Sequence, residues 1–163
     1  MLKEYQKKRK FRQTPEPRGK IVKKAENRFV IQKHQASNLH YDFRLELDGI
    51  LKSWAVPKNL PAVERVKRLA IQTEDHPVDY LEFQGAIPQG NYGAGKVMIW
   101  DQGDFDLEKR EADEVIFYLH GKKLTGRYAL IKLNKQDRKD QNWLIFKTDA
   151  DPLSFPRRRE SRS

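Results

Sequence analysis

The sequence predicts a mainly β protein: a compact single-domain β-barrel with few short helices and a basic N-terminal arm. Three observations predict this class. Apolar residues after residue 27 recur mainly with a period of two, which is typical of strands that bury one face. Gly-rich or charged connections separate these short runs. The chain of 163 residues, 37% of them hydrophobic, is long enough for one core and too short for two.

The strands follow one another at short intervals. The clearest is LHYDFRLEL at 39–47, in which the odd-numbered positions are apolar and the even-numbered positions are polar, so we expect a half-buried strand. Asp48-Gly49 then predicts a hairpin turn. The other strands are expected at 29–31, 50–56, 69–72, 96–101, 115–119, 127–133 and 143–147. Helix is expected only in part of the arm and near 61–67.

The net charge of +10 is concentrated at the N-terminus. Residues 1–24 carry ten Lys or Arg and two Glu, whereas residues 25–150 carry 19 basic and 19 acidic residues. A basic arm on a neutral body predicts a polyanionic partner, nucleic acid before anionic membrane, although a solubilising tail has the same composition. We therefore divide the chain into an arm at 1–24, a barrel domain at 25–149 and a disordered tail at 150–163.

Several classes of protein are excluded by composition. The absence of cysteine excludes disulfides, thiolate metal sites and a cysteine nucleophile. No apolar run reaches the roughly 20 residues that span a bilayer, and the N-terminal sequence lacks the apolar region of a secretory signal. The cytoplasm is the expected compartment. The glycine-rich connection at 87–95 lacks the Lys-Ser/Thr ending of a P-loop and is expected to be a tight link between strands.

One cluster of residues indicates metal chemistry. His40 and Asp42 project from the same face of a strand, and a tight reversal at 35–38 could bring His34 beside them. Two imidazoles and a carboxylate suit a divalent metal such as manganese, iron, cobalt or zinc, with open coordination positions. By spacing alone, a surface strand with a hydrogen-bonded imidazole is the favoured explanation of His40 and Asp42.

Cations around this cluster indicate a phosphate ester as substrate. Arg44 continues the face of His40 and Asp42, while Lys58 and Arg68 flank the turn at 57–61. Guanidinium groups hold phosphate oxygens in bidentate fashion. His76, which precedes a proline, could donate a proton or bind a phosphoryl oxygen, or be an ordinary loop histidine. His120 receives no role.

Several blocks together resemble one family, the 3′-phosphoesterase module of bacterial ligase D, and we expect the free-standing form of that module. The matching blocks are FVIQKH at 29–34, LHYDFRLELDG at 39–49, LKSWAVPK at 51–58, EDHPVDYLEFQGAIPQGNYGAG at 74–95 and WLIFK at 143–147. The resemblance, which covers about residues 5–148, implies a β-barrel with manganese-dependent 3′-end healing. The implied reactions are removal of a terminal 3′ ribonucleoside to leave a 3′-phosphate, and hydrolysis of that phosphate to a 3′-hydroxyl, directly or through a 2′,3′-cyclic phosphate.

The resemblance also implies roles for individual residues. The metal, Mn²⁺ with Co²⁺ or Zn²⁺ as substitutes, would be held by His34, His40 and Asp42. The residues that would contact phosphate are Arg44, Lys58, Arg68, Gln32, Arg9 and Glu16. His76, Tyr80 and Arg44 would be catalytic. The chain departs from the family where Arg9-Lys10-Phe11 replaces an Arg-Asp-Phe sequence, which leaves the position of the arm open.

The partners implied are DNA or RNA 3′ ends, above all in primer–template duplexes, and a separate ligase or end-joining machinery. No membrane partner is expected, and the chain is expected to be a monomer. Two other functions stay open at this point. A barrel with His40, Asp42 and a distant histidine, His76 or His120, also suits an iron oxygenase with two histidines and one carboxylate. A non-catalytic nucleic-acid-binding barrel would rely on the basic arm alone.

Overall fold

The computed structural model describes residues 2–11, 13–17 and 26–148. The expected disordered tail at 150–163 and the arm segment at 18–25 therefore lie outside the described residues. The elements are α1 (Lys3–Lys7), β1 (Arg28–Gln35), β2 (Leu39–Leu47), β3 (Ile50–Val56), β4 (Lys67–His76), a 3₁₀ helix (Val78–Glu82), β5 (Gly85–Ile87), β6 (Gly95–Glu111), β7 (Glu114–Gly121), β8 (Thr125–Lys132) and β9 (Asn142–Thr148).

The strands form a closed antiparallel barrel, which confirms the expected fold. The order of pairing is β1-β2-β3-β4-β9-β8-β7-β6, and β1 also pairs with β6 to complete the ring. The short strand β5 pairs only with β6 and extends the sheet beyond the ring. Closure leaves no exposed sheet edge within the ring, and the barrel interior can be filled by side chains.

Two tight hairpins at the start of the barrel set the register of its polar face. In the β1–β2 hairpin, His34 lies opposite His40 and Gln32 lies opposite Asp42. The β2–β3 hairpin turns at Asp48 and Gly49, whose φ angles of 58° and 77° are both positive. This pair of angles fits the type I′ turn that the right-handed twist of paired strands favours. The hairpin expected at Asp48-Gly49 is therefore confirmed.

The barrel has one core inside and a second on its outer surface. The inner cluster is built from the odd-numbered side chains of β1 and β2, such as Phe29 and Phe43, with Trp54, Phe117 and other residues from around the ring. The outer cluster joins α1, the 3₁₀ helix and β5 to the barrel through Tyr5, Val30, Leu51, Val78, Tyr80, Leu81, Phe83, Ile87 and Val97. This second layer covers the polar face of the first strands.

The expectation of a half-buried β2 is wrong for most of the strand. Every residue from Asp42 to Leu47 is buried, on both faces. The alternating pattern correctly identifies the inner face, but it cannot show that the even-numbered side chains lie beneath the arm and the 3₁₀ segment. Arg44 and Glu46 are therefore buried charges rather than surface charges, and a buried charge needs a partner.

Helices are few and short, as expected, but one of the expected helices is not formed. The turn of helix expected near 61–67 is absent, because Arg65 adopts a left-handed φ of 67° that a right-handed helix does not tolerate. Residues 61–66 instead form a loop in which Glu64 bridges to Lys147. In the part of the chain that the structure describes, no helix is both long and apolar enough to cross a membrane.

Candidate metal and phosphate site

A cavity of about 240 Å³ lies on the outer face of the barrel, between the β1–β2 hairpin and the N-terminal arm. It collects most of the site residues that the sequence indicates. They are Arg9, Glu16, His34, His40, Asp42, Arg44, His76 and Tyr80, with Glu74, Tyr92 and Gly93 as additional lining residues. Gln32 lies beneath them, fully buried, where its side chain bonds to Arg44.

His34, His40 and Asp42 form a compact group of potential metal ligands. One ligand atom from each lies within 4.8 Å of the others. Asp42 Oδ2 is 3.4 Å from His34 Nδ1, and Asp42 Oδ1 is 3.3 Å from His40 Nε2. The two strands of one hairpin place all three side chains on the same face, because His34 and His40 are directly opposite and Asp42 is two residues beyond His40.

Backbone carbonyls set which nitrogen of each imidazole faces the carboxylate. His34 Nε2 is 2.8 Å from the carbonyl of Gly93, and His40 Nδ1 is 3.1 Å from the carbonyl of Asn38. A carbonyl can only accept, so each of these nitrogens donates. In the neutral imidazoles the lone pairs of His34 Nδ1 and His40 Nε2 then point towards Asp42. Such outer hydrogen bonds orient metal-binding histidines in proteins.

The carboxylate of this group is ionised. Burial by itself raises the pKa of Asp42, but the Arg44 guanidinium and the adjacent imidazoles of His34 and His40 outweigh it, and the net pKa lies far below the ordinary range. The hydrogen bond to Asp42 raises the pKa of His40, against a smaller opposing effect of burial. A proton on His40 Nε2 therefore competes with a metal cation for the same position beside Asp42.

We expect metal binding to displace this proton from His40. Because the pKa of His40 lies above 6.5, Mn²⁺ affinity should weaken about tenfold for each pH unit below that pKa. Titration calorimetry with Mn²⁺ in buffers of different ionisation enthalpy should detect up to one released proton near neutral pH. An affinity that is the same at pH 5.5 and pH 7.5 would contradict this assignment.

Arg44 is buried beside the ligand group of His34, His40 and Asp42, and one of its nitrogens has no hydrogen-bond partner among the described residues. Its Nε donates to Gln32 Oε1 at 2.8 Å, and its Nη2 lies 3.5 Å from Asp42 Oδ2. Gln32 is fixed in turn by bonds from its amide nitrogen to two backbone carbonyls, those of Tyr80 at 2.8 Å and Phe83 at 3.1 Å. The remaining nitrogen, Nη1, is buried and has no hydrogen-bond partner among the described residues. The guanidinium is therefore rigidly held with one donor unused.

The described part of the arm, residues 2–11 and 13–17, contributes Arg9 and Glu16 to the cavity. Arg9 Nε donates to Glu16 Oε2 at 2.9 Å, and Arg9 Nη1 donates to Glu74 Oε2 at 3.0 Å. The guanidinium also packs over the Tyr5 ring at 3.9 Å. Glu16 accepts a further hydrogen bond from Tyr80 at 2.6 Å. These contacts anchor the arm to the barrel at the level of the site.

His76 is neutral in this environment. Its Nδ1 donates to the backbone carbonyl of Glu74 at 2.9 Å, and its Nε2 accepts from Arg9 Nη2 at 3.2 Å. Burial, followed by the Arg44 and Arg9 guanidiniums, lowers the pKa of His76 well below its ordinary value. Burial likewise raises the pKa of Tyr80 well above 10, with Glu16 acting in the same direction, so Tyr80 keeps its proton.

His76 should leave a signature in the stability of the metal-free protein. Its folded-state pKa is depressed, so the unfolded chain takes up a proton first as pH falls below about 6.5, and folding then loses up to about 1.4 kcal/mol per pH unit. His76→Gln should lose less stability than wild type between pH 7 and pH 5, measured by chemical denaturation. His40, which contributes with the opposite sign, is present in both proteins. Parallel stability curves for the two proteins would contradict the assignment.

Lys58 and Arg68 lie together, but outside this cavity. Arg68 Nη1 donates to the carbonyls of Lys58 at 2.6 Å and Asn59 at 3.2 Å. Both side chains line a separate depression of about 250 Å³ beyond the end of β3. Their contact with the scissile phosphate therefore stays a prediction. Lys10, the departure from the family pattern, is exposed and does not belong to the described lining of the cavity.

Sequence reasoning missed three groups that shape the site. Glu74 is buried and pairs with Arg9, and its own carbonyl orients His76. A signal was available, because Glu74 and His76 are two residues apart on one strand and so share a face. The carbonyls of Gly93 and Asn38, which orient the imidazoles of His34 and His40, carry no side-chain signal. His120, which received no role, bonds to Asp106 at 2.7 Å and lies outside the cavity.

The chain is similar to known proteins over most of its length. The family described as the DNA ligase D 3′-phosphoesterase domain matches residues 32–132. The multifunctional non-homologous end joining protein LigD of Pseudomonas aeruginosa is 51% identical over 164 residues, covering 96% of this chain and 20% of that protein. The LigD of Mycobacterium tuberculosis is 56% identical over 139 residues, covering 82% of this chain and 18% of that protein. The chain thus spans about a fifth of these relatives, and it belongs to the DNA ligase D 3′-phosphoesterase domain family.

Proposed function

We propose that this chain is a metal-dependent phosphoesterase that heals nucleic-acid 3′ ends. It removes a 3′-terminal ribonucleoside to leave a 3′-phosphate, and it hydrolyses a 3′-phosphate to a 3′-hydroxyl. The observation that carries the proposal is the pairing of the ligand group His34, His40 and Asp42 with the buried Arg44, whose Nη1 has no partner among the described residues. A buried donor without a partner is costly unless a ligand completes it.

The donor set fits a divalent transition metal. Two imidazole nitrogens and one carboxylate leave open positions, as hydrolytic sites require. We propose Mn²⁺ as the metal, with Co²⁺ or Zn²⁺ as substitutes, held by His34 Nδ1, His40 Nε2 and an oxygen of Asp42. When bound, the metal supplies positive charge and polarises a phosphoryl oxygen.

The charge of the cavity explains why such an enzyme would need a metal. The guanidiniums of Arg9 and Arg44 face the three carboxylates of Asp42, Glu16 and Glu74. Without a metal, the two guanidiniums and three carboxylates leave no net positive charge for a phosphate, even when His40 carries a proton. A divalent cation makes the cavity positive on balance, so phosphate and metal should bind cooperatively.

The residues of the chain then have distinct tasks. Arg44 Nη1 donates to a phosphoryl oxygen, while Gln32 holds the guanidinium in its orientation. Tyr80 lies under Arg44, with its ring 4.8 Å from the guanidinium carbon, and orients Glu16 and through it Arg9. A phosphate dianion beside His76 would raise the pKa of this imidazole, which allows it to assist the leaving oxygen.

Two nucleophiles are compatible with this arrangement. In the removal of a ribonucleoside, either water or the 2′-hydroxyl of a penultimate ribonucleotide attacks phosphorus, the bond to the 5′-oxygen of the terminal nucleoside breaks, and that oxygen takes a proton. Attack by the 2′-hydroxyl passes through a 2′,3′-cyclic phosphate. In the monoesterase reaction, water attacks and inorganic phosphate leaves the 3′-oxygen. We propose DNA or RNA 3′ ends in duplexes as substrates, with a ligase acting on the healed ends.

A direct assay separates the two reactions. Duplexes labelled at the 5′ end and ending in one 3′ ribonucleotide or a 3′-phosphate are incubated with and without Mn²⁺. We expect shortening of the first to a 3′-phosphate and dephosphorylation of the second, each only with the metal. If neither end changes in any of Mn²⁺, Co²⁺ or Zn²⁺, the proposal is wrong. Oxygen consumption with iron and 2-oxoglutarate, without phosphate release, would instead favour the oxygenase.

A further inference from the structure

Tyr92 presents an exposed aromatic ring at the rim of the cavity. The residue is 48% exposed and lines the cavity together with the metal-binding group. Tyr80, the other tyrosine among the described lining residues, is 2% exposed, and its hydroxyl is engaged by Glu16. The roles assigned above to the cavity residues leave Tyr92 without a task.

Contacts of Tyr92 and Gly93 fix the position of this ring relative to the ligand group of His34, His40 and Asp42 and to the arm. Tyr92 lies in the link between β5 and β6, and the carbonyl of the next residue, Gly93, binds His34 Nε2. Gly93 has a left-handed φ of 76°, which a residue with a side chain rarely adopts. The cations of Lys8 and Arg9 lie 4.8 Å and 5.3 Å from the centre of the ring, yet nearly half of the residue stays exposed.

We propose that Tyr92 is the surface on which the nucleoside attached to the bound phosphate stacks. The inference rests on the proposed phosphoesterase function and deepens it. Arg44 and the metal group account for recognition of phosphate, but they offer no flat apolar surface for a base. An aromatic ring beside a phosphate site binds any base through its π face, as in proteins that bind single strands without sequence preference. Tyr92 would thus let the enzyme act on 3′ ends of any sequence.

The competing explanation is that Tyr92 only anchors the arm. The Tyr92 hydroxyl lies 3.5 Å from Nζ of Lys8, the residue that follows α1. This contact joins the β5–β6 link to the arm. The two explanations predict that substrate binding depends on different groups. Stacking depends on the ring and on the base of the substrate, whereas anchoring depends on Lys8 and not on the base.

The test compares Tyr92→Ala, Tyr92→Phe and Lys8→Ala on two duplexes that end in a 3′-phosphate, one with a normal terminal base and one with an abasic terminal sugar. We expect Tyr92→Ala to raise KM about tenfold for the normal end, in line with measured base–aromatic stacking, and to leave kcat within about twofold. Tyr92→Phe should recover most of the lost affinity. Lys8→Ala should behave as wild type, and the abasic end should not distinguish Tyr92→Ala from wild type.

Two outcomes would overturn the proposal: an equal rise in KM for normal and abasic ends, or a Lys8→Ala variant that reproduces the defect of Tyr92→Ala. A binding readout keeps this inference separate from the proposed function. With 2-aminopurine as the 3′-terminal base, binding should quench its fluorescence in wild type and not in Tyr92→Ala, whether or not any turnover occurs. Quenching without turnover would count against the phosphoesterase alone, and equal quenching in both proteins against stacking alone.

Discussion

Asp42→Asn should reduce the two activities that we propose, 3′-phosphatase and 3′-ribonuclease, by about three orders of magnitude. Asparagine retains the shape of the side chain but removes its charge, so the site loses the carboxylate that both imidazoles and Arg44 face. A bound metal supplies several kcal/mol of transition-state stabilisation in hydrolytic enzymes, and each 1.36 kcal/mol corresponds to a factor of ten in rate. Mn²⁺ titration and steady-state kinetics on both duplex ends measure the effect.

Glu46→Gln is the matched control for this variant. Glu46 lies on the same face of the same strand and is fully buried, but it pairs with Arg28 at 3.0 Å and lies outside the cavity. The control should lose stability and keep both activities and Mn²⁺ affinity. If Asp42→Asn is folded and active within tenfold of wild type, the metal assignment fails. If Glu46→Gln loses activity to the same degree while folded, the effect belongs to the strand and not to the site.

Arg44→Lys should lower kcat/KM about 100-fold on either end while leaving Mn²⁺ affinity within a few-fold of wild type. The guanidinium uses three nitrogens at once: Nε on Gln32, Nη2 near Asp42 and Nη1 for the phosphate that we propose. A single ammonium group cannot make these contacts together, so the charge is retained but its position is lost. Loss of one well-placed donor at a developing negative charge costs about 10²–10³ in rate.

The Asp42→Asn and Arg44→Lys variants should fail at different steps. Asp42→Asn should fail in metal binding, and Arg44→Lys should fail in turnover with the metal bound. Gln32→Glu offers a further comparison, because it keeps an acceptor for Arg44 Nε but replaces the amide that donates to the carbonyls of Tyr80 and Phe83. A lysine variant with wild-type kcat/KM would show that Arg44 acts only as a diffuse positive charge.

The sequence predicts the barrel well because its signals are local. The alternation at 39–47 identifies the inner face of β2, and Asp48-Gly49 fixes the hairpin that follows. The ligand group of His34, His40 and Asp42 is also predicted from a short stretch of sequence, since one short reversal brings His34 and His40 opposite each other. Spacing alone left this group no more favoured than a hydrogen-bonded surface strand, and only the geometry shows that three ligand atoms converge.

The remaining part of the site depends on contacts between distant segments. Glu74 meets Arg9 across 65 residues, and Tyr80 meets Glu16 across 64. No periodicity encodes such pairs, so the roles of Arg9 and Glu16 were available only from the family resemblance. Burial of the even-numbered face of β2 was missed for the same reason. Lys58 and Arg68 flank one turn and lie close together, as their local spacing predicts. They nevertheless line a separate depression outside the cavity that contains Arg44.

We propose that a metal held by His34, His40 and Asp42 and a phosphate held by Arg44 occupy one site. This can be measured by electron paramagnetic resonance of the Mn²⁺ protein mixed with a 3′-phosphate oligonucleotide and frozen before turnover, because phosphorus bonded through oxygen to the metal produces a measurable ³¹P hyperfine coupling. We expect this coupling in wild type, a weakened or absent coupling in Arg44→Lys and no bound Mn²⁺ in Asp42→Asn. Bound Mn²⁺ in wild type with no ³¹P coupling at saturating oligonucleotide would contradict the claim.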